Sequence, residues 1–342
     1  MTSIKGFVLV GMSMFLIACG KSNDDQKLTI NTNSAKDVFS IDDTIELSIN
    51  NPENIEIGSI KFSLNGKKIT KSHDLKNEKL GQLEITAKIK TEDSEEVIKK
   101  NITILNNQKP DLYTYKVLNE YPHDITSYTQ GLEFRGADLY ESTGQYKESK
   151  LRKINYETGE ILKNVNLDDQ YFAEGLTILD NKIYQLTWKE NTGFVYDLET
   201  FQKESSFTYG KSKEGWGLCN DAQVIYKSDG TENIWLLNPE TLAENSKIQV
   251  YTNKGKIVGI NEMEYINGKI YANRYQKNGV AIINPNNGAV EGVIDFSPLR
   301  KMVKQHDGLD VLNGIAYNPV TKTIFVTGKR WDKLFEVEIT KK

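Results

Sequence analysis

A tripeptide pattern recurs five times in this chain and limits the folds that it can adopt. Its copies are Gln130-Gly-Leu132, Glu174-Gly-Leu176, Trp216-Gly-Leu218, Asn261-Glu-Met263 and Asn313-Gly-Ile315. Each copy leads into a strand-like run whose aromatic residue follows ten residues later, or twelve in the last copy: Tyr140, Tyr184, Tyr226, Tyr271 and Phe325. A period of about 40–45 residues with several short strands is typical of a β-propeller blade. We therefore predict an all-β chain containing a five-bladed β-propeller.

Residues at equivalent places in the copies are expected to meet at one mouth of this propeller. The first strand of each copy runs into a hairpin and its partner returns antiparallel, so the start of one strand adjoins the end of the other. The first strands place at this mouth Gln130, Glu174, Trp216, Asn261 and Asn313. The returning strands add Gly144, Trp188, Gly230, Tyr275 and Lys329. We expect the two glycines to leave space opposite two aromatic rings and an amine.

Glu174 is the sharpest candidate for chemistry in this set. A lone carboxylate near aromatic walls is unfavourable unless it is paired, and Lys329 at an equivalent position is a plausible partner. Desolvation would raise the pKa of Glu174 and suit it to acid/base catalysis near neutral pH. The alternative is that the two side chains form only a structural ion pair.

Composition and charge exclude several classes of function. The formal net charge is −4, and acidic and basic residues are mixed throughout. The sequence lacks the basic stripe that would indicate a nucleic-acid partner. Neither a glycine-rich phosphate loop nor a Gly-x-Ser-x-Gly elbow is present. His123 and His306 stand alone and are expected to be surface polar residues, while Cys219, in a predicted strand from Leu218 to Tyr226, is expected in the core. We predict no metal site and no cofactor.

The N-terminus reads as a targeting segment. Lys5 precedes an apolar run from Phe7 to Ala18, which is too short for a lasting transmembrane helix but suits a signal peptide. The run ends in Leu16-Ile-Ala-Cys19, which resembles a bacterial lipobox. We predict a signal peptide over residues 1–18, lipidation of Cys19 and a tether over residues 19–27. The mature protein would then be held by lipid on a membrane of the bacterial cell envelope.

The rest of the chain divides into two predicted domains. Residues 28–105 show short alternating strands between turn signals, which predicts an immunoglobulin-like β-sandwich without its cysteine pair. Residues 106–112 read as a linker, and residues 113–342 as the propeller. The stretch Tyr113–Asn119 precedes the first copy and could supply the strand that completes the last blade.

The assembled motifs resemble the plant and bacterial type of glutaminyl cyclase (glutamine cyclotransferase), over about residues 121–339. The matching stretches are Tyr128-Thr-Gln-Gly-Leu132, Tyr171-Phe-Ala-Glu-Gly-Leu-Thr177, Glu214-Gly-Trp-Gly-Leu218, Asn261-Glu-Met-Glu-Tyr-Ile-Asn-Gly268, Leu312-Asn-Gly-Ile-Ala316 and Val326-Thr-Gly-Lys-Arg-Trp331. The resemblance implies cyclisation of an N-terminal glutamine of a peptide or protein to pyroglutamate, with release of ammonia and without a catalytic metal.

The resemblance also implies a set of site residues. For the reaction that it implies, we assign acid/base catalysis to Glu174, with Lys329 and Asn261 as the candidates that stabilise charge on the amide oxygen. Substrate binding falls to Gln130, Trp188, Trp216, Tyr128 (where relatives carry Phe) and Tyr275 (where the plant enzyme has Trp), and Asn313 joins them from its place in the ring. We expect a monomer.

Two other functions remain open on the sequence. One is a non-catalytic, lipid-anchored propeller that binds a peptide or glycan at its mouth. The other is a lactonase-like hydrolase, which would need a carboxylate-rich metal site on the axis. One Glu and two Asn among the first-strand positions make that hydrolase the weakest of the three.

Overall fold

The computed structural model describes residues 28–92 and 94–342, and the described chain is all-β apart from one short 3-10 helix. The predicted signal peptide, Cys19 and the tether lie outside the described residues. In the described part of the chain, no helix has the length and apolar character that crossing a bilayer requires. The fold is therefore built almost wholly from strands and turns.

The first eight strands form two sheets around a shared core. They are β1 (Thr29–Thr32), β2 (Val38–Ser40), β3 (Thr44–Asn50), β4 (Ser59–Leu64), β5 (Lys67–Ile69), β6 (Ser72–Asp74), β7 (Gly81–Lys90) and β8 (Glu95–Leu105). One sheet has the order β1-β3-β6 and the other β2-β8-β7-β4-β5. Along β7 alternate residues are buried, as in a strand with one face on a core. Ile45 from one sheet and Ile85 from the other are fully buried in the same cluster.

Three four-stranded antiparallel sheets follow in the middle of the chain. The first contains β10 (Thr129–Arg135), β11 (Asp138–Thr143), β12 (Lys150–Asn155) and β13 (Glu160–Asn166). The second contains β14 (Ala173–Leu179), β15 (Lys182–Thr187), β16 (Thr192–Asp197) and β17 (Lys203–Thr208). The third contains β18 (Leu218–Asn220), β19 (Ile225–Ser228), β20 (Asn233–Leu237) and β21 (Glu244–Gln249). In each sheet the strands pair in sequence order.

The remaining strands make one eight-stranded sheet of order β22-β23-β24-β25-β9-β28-β27-β26. Its members are β9 (Asp111–Pro122), β22 (Ile260–Ile266), β23 (Lys269–Arg274), β24 (Gly279–Ile283), β25 (Val290–Asp295), β26 (Leu312–Asn318), β27 (Thr323–Gly328) and β28 (Lys333–Lys341). The predicted strand at 113–119 is thus part of β9, which pairs antiparallel with β28 and, over three residues, parallel with β25.

The first strands of the five copies contact one another in a closed cycle. We call β10, β14, β18, β22 and β26 the inner strands. β10 contacts β14 and β26, and the cycle continues through β18 and β22. A closed cycle of strands gives their starting ends a common axis, so residues distant in sequence share one space.

Two local details differ from the sequence-based expectation. The single strand predicted from Leu218 to Tyr226 is wrong, because a turn at 221–224 with Ala222 in the left-handed region separates β18 from β19. Phe325 follows Tyr271 by 54 residues, whereas the earlier aromatic residues are 42–45 residues apart. Besides the two extra residues between Asn313 and Phe325, a connection carrying the 3-10 helix Ser297–Lys301 between β25 and β26 lengthens this interval.

The N-terminal sheets pack against the third and fourth copies of the repeat. Tyr251 and Ala289 are buried in the same cluster as the core of the N-terminal sheets. Gln249 and Gln82 join through two hydrogen bonds between the side chain of the first and the backbone of the second, at 3.3 and 3.0 Å. Leu80 donates its backbone N–H to the Asn287 carbonyl at 2.9 Å. Apolar burial and backbone hydrogen bonds therefore both join these parts.

Candidate active site

A cavity of about 270 Å³ opens where the inner strands begin. It is lined by Tyr128, Gln130, Gln145, Phe172, Glu174, Trp188, Trp216, Asn261, Tyr275 and Lys329. Its residues are brought together by the hairpin of each copy. A backbone hydrogen bond of 2.9 Å joins Lys329 N–H to the Val311 carbonyl, and the same bond joins Trp188 to Phe172. These bonds hold the end of each returning strand beside the start of its partner.

Glu174 lies at the inner wall of the cavity and is only 5% exposed. Its Oε1 accepts a 2.9 Å hydrogen bond from Gln130 Nε2, and its Oε2 has no hydrogen-bond partner within the described residues. Burial raises the pKa of this carboxyl well above its ordinary value, while the positive charge of Lys329 opposes that rise. A carboxyl group with a raised pKa and one free oxygen can exchange protons with a bound molecule near neutral pH.

Lys329 presents a buried ammonium group to the same cavity. Its residue is 3% exposed, and its Nζ lies 4.5 Å from the Tyr128 ring centroid and 5.5 Å from that of Tyr275. Burial lowers the pKa of Lys329, and the negative charges of Glu174 and Asp310 oppose that fall. No oxygen of the described chain accepts a hydrogen bond from Nζ, so its three donors are available to a ligand.

Asn261 adds to the cavity a third buried polar side chain, and its amide oxygen has no partner in the described chain. Asn261 is 2% exposed, lines the cavity, and leaves its Oδ1 without a hydrogen bond in the described chain. Buried polar atoms in native structures nearly always have partners, so an unpaired amide beside a cavity indicates that a ligand or water completes it. The amide of Gln130 differs, because Asn313 Nδ2 donates to its Oε1 at 3.2 Å.

Aromatic rings form the other wall of the cavity. Trp216 and Tyr275 meet edge to face with ring centroids 5.4 Å apart, and Phe172 lies 5.6 Å from Trp188. The sequence predicted that Gly144 and Gly230 would leave empty space at the mouth, and this prediction is wrong. A Cβ at Gly230 would lie 2.4 Å from the Trp216 indole, and one at Gly144 the same distance from the Phe172 ring. The glycines are needed because these rings lie against their backbone.

Eight of the predicted site residues line this cavity: Tyr128, Gln130, Glu174, Trp188, Trp216, Asn261, Tyr275 and Lys329. Asn313 lies behind them, where it donates hydrogen bonds to Gln130 Oε1 and to the Thr129 carbonyl. Cys19 lies outside the described residues. The predicted mouth residues thus meet around one cavity, with Asn313 in a supporting place.

Four residues around the site carried no predicted role. Phe172 and Gln145 line the cavity. Glu214 accepts the indole N–H groups of Trp188 and Trp216, and Asp310 accepts the hydroxyl of Tyr128 at 2.8 Å. Phe172 and Glu214 both belong to the stretches that resemble the cyclase family, so the resemblance could have indicated that these two residues lie near the site.

His123 is not a surface residue, contrary to the sequence-based expectation. It is buried, with Nδ1 2.8 Å from the Trp331 carbonyl and Nε2 3.0 Å from Glu141. Glu141 also accepts hydrogen bonds from Ser127 and Thr129, so the histidine belongs to a satisfied polar network. Within residues 28–92 and 94–342, no group of three or more His, Cys, Asp or Glu side chains is placed to hold a metal ion.

Comparison with known proteins identifies the family of the chain. Residues 84–339 match the family described as glutamine cyclotransferase. A glutaminyl-peptide cyclotransferase from Arabidopsis thaliana is 40% identical over 227 residues, which are 66% of this chain and 71% of that protein. The crystal structure of Myxococcus xanthus glutaminyl cyclase is similar with a TM-score of 0.64 and 35% identity, covering 68% of this chain and 100% of that one. The chain therefore belongs to the glutamine cyclotransferase family.

Proposed function

We propose that this protein is a glutaminyl-peptide cyclotransferase, which converts the N-terminal glutamine of a peptide or protein to pyroglutamate and releases ammonia. The observation that carries the proposal is a buried carboxyl with one free oxygen and a buried ammonium without a hydrogen-bond acceptor, facing one aromatic-walled cavity. Membership of the cyclase family supports the same activity. It disfavours the non-catalytic binding protein, which has no separate observation in its support.

Glu174 is the proton carrier in this proposal. The α-amino nitrogen of the substrate forms a bond to the side-chain amide carbon, and the bond from that carbon to the amide nitrogen breaks. The substrate amine, with a pKa of about 7.7–8.0, attacks in its uncharged form, and its nitrogen must lose one proton to a base as the ring closes. Glu174 takes the proton from the amine and delivers it to the departing nitrogen, which leaves as ammonia. The carboxylate is regenerated at the end of the cycle.

Lys329 and Asn261 stabilise the charge that develops during ring closure. The amide oxygen of the substrate becomes negative as the amine attacks, and donors held in place beforehand stabilise such charge most effectively. The Lys329 ammonium has no competing acceptor among the described residues, and the Asn261 Nδ2 group, whose N–H bonds are the donors of this amide, likewise donates to no atom of the described chain. We assign the first as the main donor and the second as its companion.

The remaining lining residues hold the substrate in a cyclising conformation. Gln130 is already oriented by Asn313 and would contact the substrate amine or its backbone carbonyl. Trp188, Trp216 and Tyr275 would fold the flexible glutamine side chain back toward the amine. Placing two reacting groups close together accelerates ring closure by removing conformational freedom beforehand.

Replacement of Glu174 by Gln tests this function. Glu174→Gln should lower ammonia release from a Gln-initiated dipeptide by about 10²–10⁴-fold, because it removes the proton carrier while keeping the shape of the side chain. A coupled ammonia assay and a thermal melt check the result, with Glu157→Gln at an exposed turn as the matched control. Cyclisation at a near-parental rate by a folded Glu174→Gln variant would refute the assignment.

We also propose the architecture of a five-bladed β-propeller over residues 113–342, preceded by an immunoglobulin-like sandwich over residues 28–105 and a linker over 106–112. Four-stranded antiparallel units and the closed cycle of inner strands support the first. The last unit would be completed by β9, which precedes the first copy. The two-sheet core with β2 parallel to β8 supports the second.

The location of the enzyme follows from its N-terminus in this proposal. Removal of residues 1–18 and lipidation of Cys19 would hold the protein on a membrane of the bacterial cell envelope, with residues 19–27 as a tether. The supporting observation is the short apolar run ending at a cysteine. A monomer acting on peptide or protein N-termini, and no nucleic-acid partner, complete the proposal.

A further inference from the structure

Glu214 joins two tryptophans that come from different copies of the repeat. Its Oε2 accepts hydrogen bonds from the indole Nε1 of Trp188 and from that of Trp216, each at 2.9 Å. Trp188 directly follows β15, whereas Trp216 precedes β18. A single carboxylate oxygen therefore sets the spacing between two rings of the cavity wall.

The backbone of Glu214 is itself held in place. Its carbonyl accepts a 2.8 Å hydrogen bond from Nζ of Lys227, a fully buried side chain. Lys227 Nζ also lies 3.5 Å from Glu244, which accepts the backbone N–H of Ser212. The next residue, Gly215, donates its N–H to the Trp188 carbonyl at 3.0 Å. A segment anchored at both backbone and side chain can fix the position of the rings it contacts.

We propose that Glu214 is a positioning residue of the cyclase site, which holds the indoles of Trp188 and Trp216 at the separation that folds the substrate glutamine for ring closure. This inference rests on the proposed cyclisation. The carboxylate does not touch the reacting atoms in this assignment. It acts through the two rings, and through its charge on the proton carrier.

The charge of Glu214 gives the proposal a second, separable effect. The charged groups that act on Glu174 are Lys329, which lowers its pKa, and Glu214 and Glu190, which raise it. Loss of the Glu214 charge should therefore lower the pKa of Glu174. The base form of Glu174 would then persist to lower pH, and the acidic limb of the activity profile would move the same way.

Two substitutions separate spacing from charge in the full chain. Glu214→Gln keeps an oxygen that can accept both indole N–H groups but removes the charge. Glu214→Asp keeps the charge but is one methylene too short to reach both indoles. The experiment measures kcat and KM for a Gln-initiated dipeptide across pH, with Glu240→Gln at an exposed turn as the control. The substrate amine titrates identically in every variant, so a shift between variants belongs to the enzyme.

We expect Glu214→Asp to lower kcat/KM by about 10- to 100-fold with an unmoved acidic limb, since small misplacements of a substrate slow ring closure strongly. We expect Glu214→Gln to keep KM within about threefold of the parental value and to shift the limb to lower pH. Parental kcat/KM in a folded Glu214→Asp variant would overturn the spacing role, and an unmoved limb in Glu214→Gln would overturn the charge role. Absence of ammonia release from the parental enzyme would instead refute the proposed function.

Discussion

Glu174 and Lys329 are two buried groups of opposite charge that do not form a direct ion pair in the described chain. Each acts on the pKa of the other through space, Lys329 lowering that of Glu174 and Glu174 raising that of Lys329. Burial of two opposite charges that make no direct ion pair is destabilising, so stability does not explain this arrangement. Strongly shifted pKa values in a cavity are characteristic of functional sites. The sequence identified both residues but left open whether they formed a structural ion pair.

Replacement of Lys329 by Met tests its role in stabilising developing charge. Methionine fills similar space between Tyr128 and Tyr275 but donates no hydrogen bond. We expect kcat to fall by about 10²–10³-fold with a smaller change in KM, because the ammonium acts mainly in the transition state. Steady-state ammonia release measures both constants. A higher KM with parental kcat would instead place Lys329 in ground-state binding.

At the scale of elements, the glycine of the repeat allows the inner strands to approach each other. A Cβ at Gly131 would lie 2.4 Å from the Leu176 nitrogen, and one at Gly217 would lie 2.0 Å from the Asn261 carbonyl oxygen. Both obstacles are backbone atoms of the next inner strand, which cannot move aside as a flexible side chain can. The central glycine of the first three copies therefore marks a close contact between neighbouring strands.

Gly217→Ala should destabilise the protein through this contact. We expect a loss of about 1–3 kcal/mol or more in the free energy of unfolding, because the added methyl group forces two strands apart. The matched control is Gly279→Ala, where the nearest atom to a new Cβ is 3.4 Å away. Denaturant unfolding of both variants measures the difference. Equal stability of the two would show that the inner strands can separate without penalty.

Across the whole molecule, the carboxyls of two buried glutamates and one half-buried glutamate connect inner strands of different copies. Glu262 takes the place of the glycine in the fourth copy, and it accepts backbone N–H groups from Leu132 in β10 and Ile315 in β26. Glu133 accepts the backbone N–H of Ile178 in β14, and Glu264 accepts that of Tyr317 in β26. Burial raises the pKa of Glu133 to about 7 and those of Glu262 and Glu264 well above the usual range. These carboxyls therefore tie folding stability to pH.

Glu133→Gln should weaken that dependence on pH. A carboxyl whose pKa is higher in the folded state contributes stability below its unfolded pKa and loses it as pH rises through the folded value, here from about 4.5 to about 7. Between pH 5 and pH 8, the variant should lose about 1–3 kcal/mol less free energy of unfolding than the parental protein. Denaturant unfolding at both pH values, with exposed Glu160→Gln as control, checks this. An unchanged pH dependence would contradict the role of Glu133.

Much of the site could be read from the chain because its positions repeat. The spacing of the copies placed Gln130, Glu174 and Asn261 at the starts of equivalent strands. The strands themselves could be predicted because the alternation of apolar and polar residues and the turn residues depend only on neighbouring parts of the chain. Residue types then indicated the chemistry, since a lone carboxylate and a lone amine are rare among aromatic rings. The same reasoning failed where no period applied, as at the turn that interrupts the strand from Leu218 to Tyr226.

The contacts that only folding could reveal join parts of the chain with no fixed spacing. Glu214 meets the indole of Trp188, Asp310 meets Tyr128, and His123 is buried against Glu141. Each pair depends on how two loops or sheet edges approach, and many sequences with the same pattern of strands would satisfy these groups differently. The repeat period in the sequence thus determined most of the residues that face the cavity, whereas packing between distant parts of the chain determined which charged groups remain unpaired there.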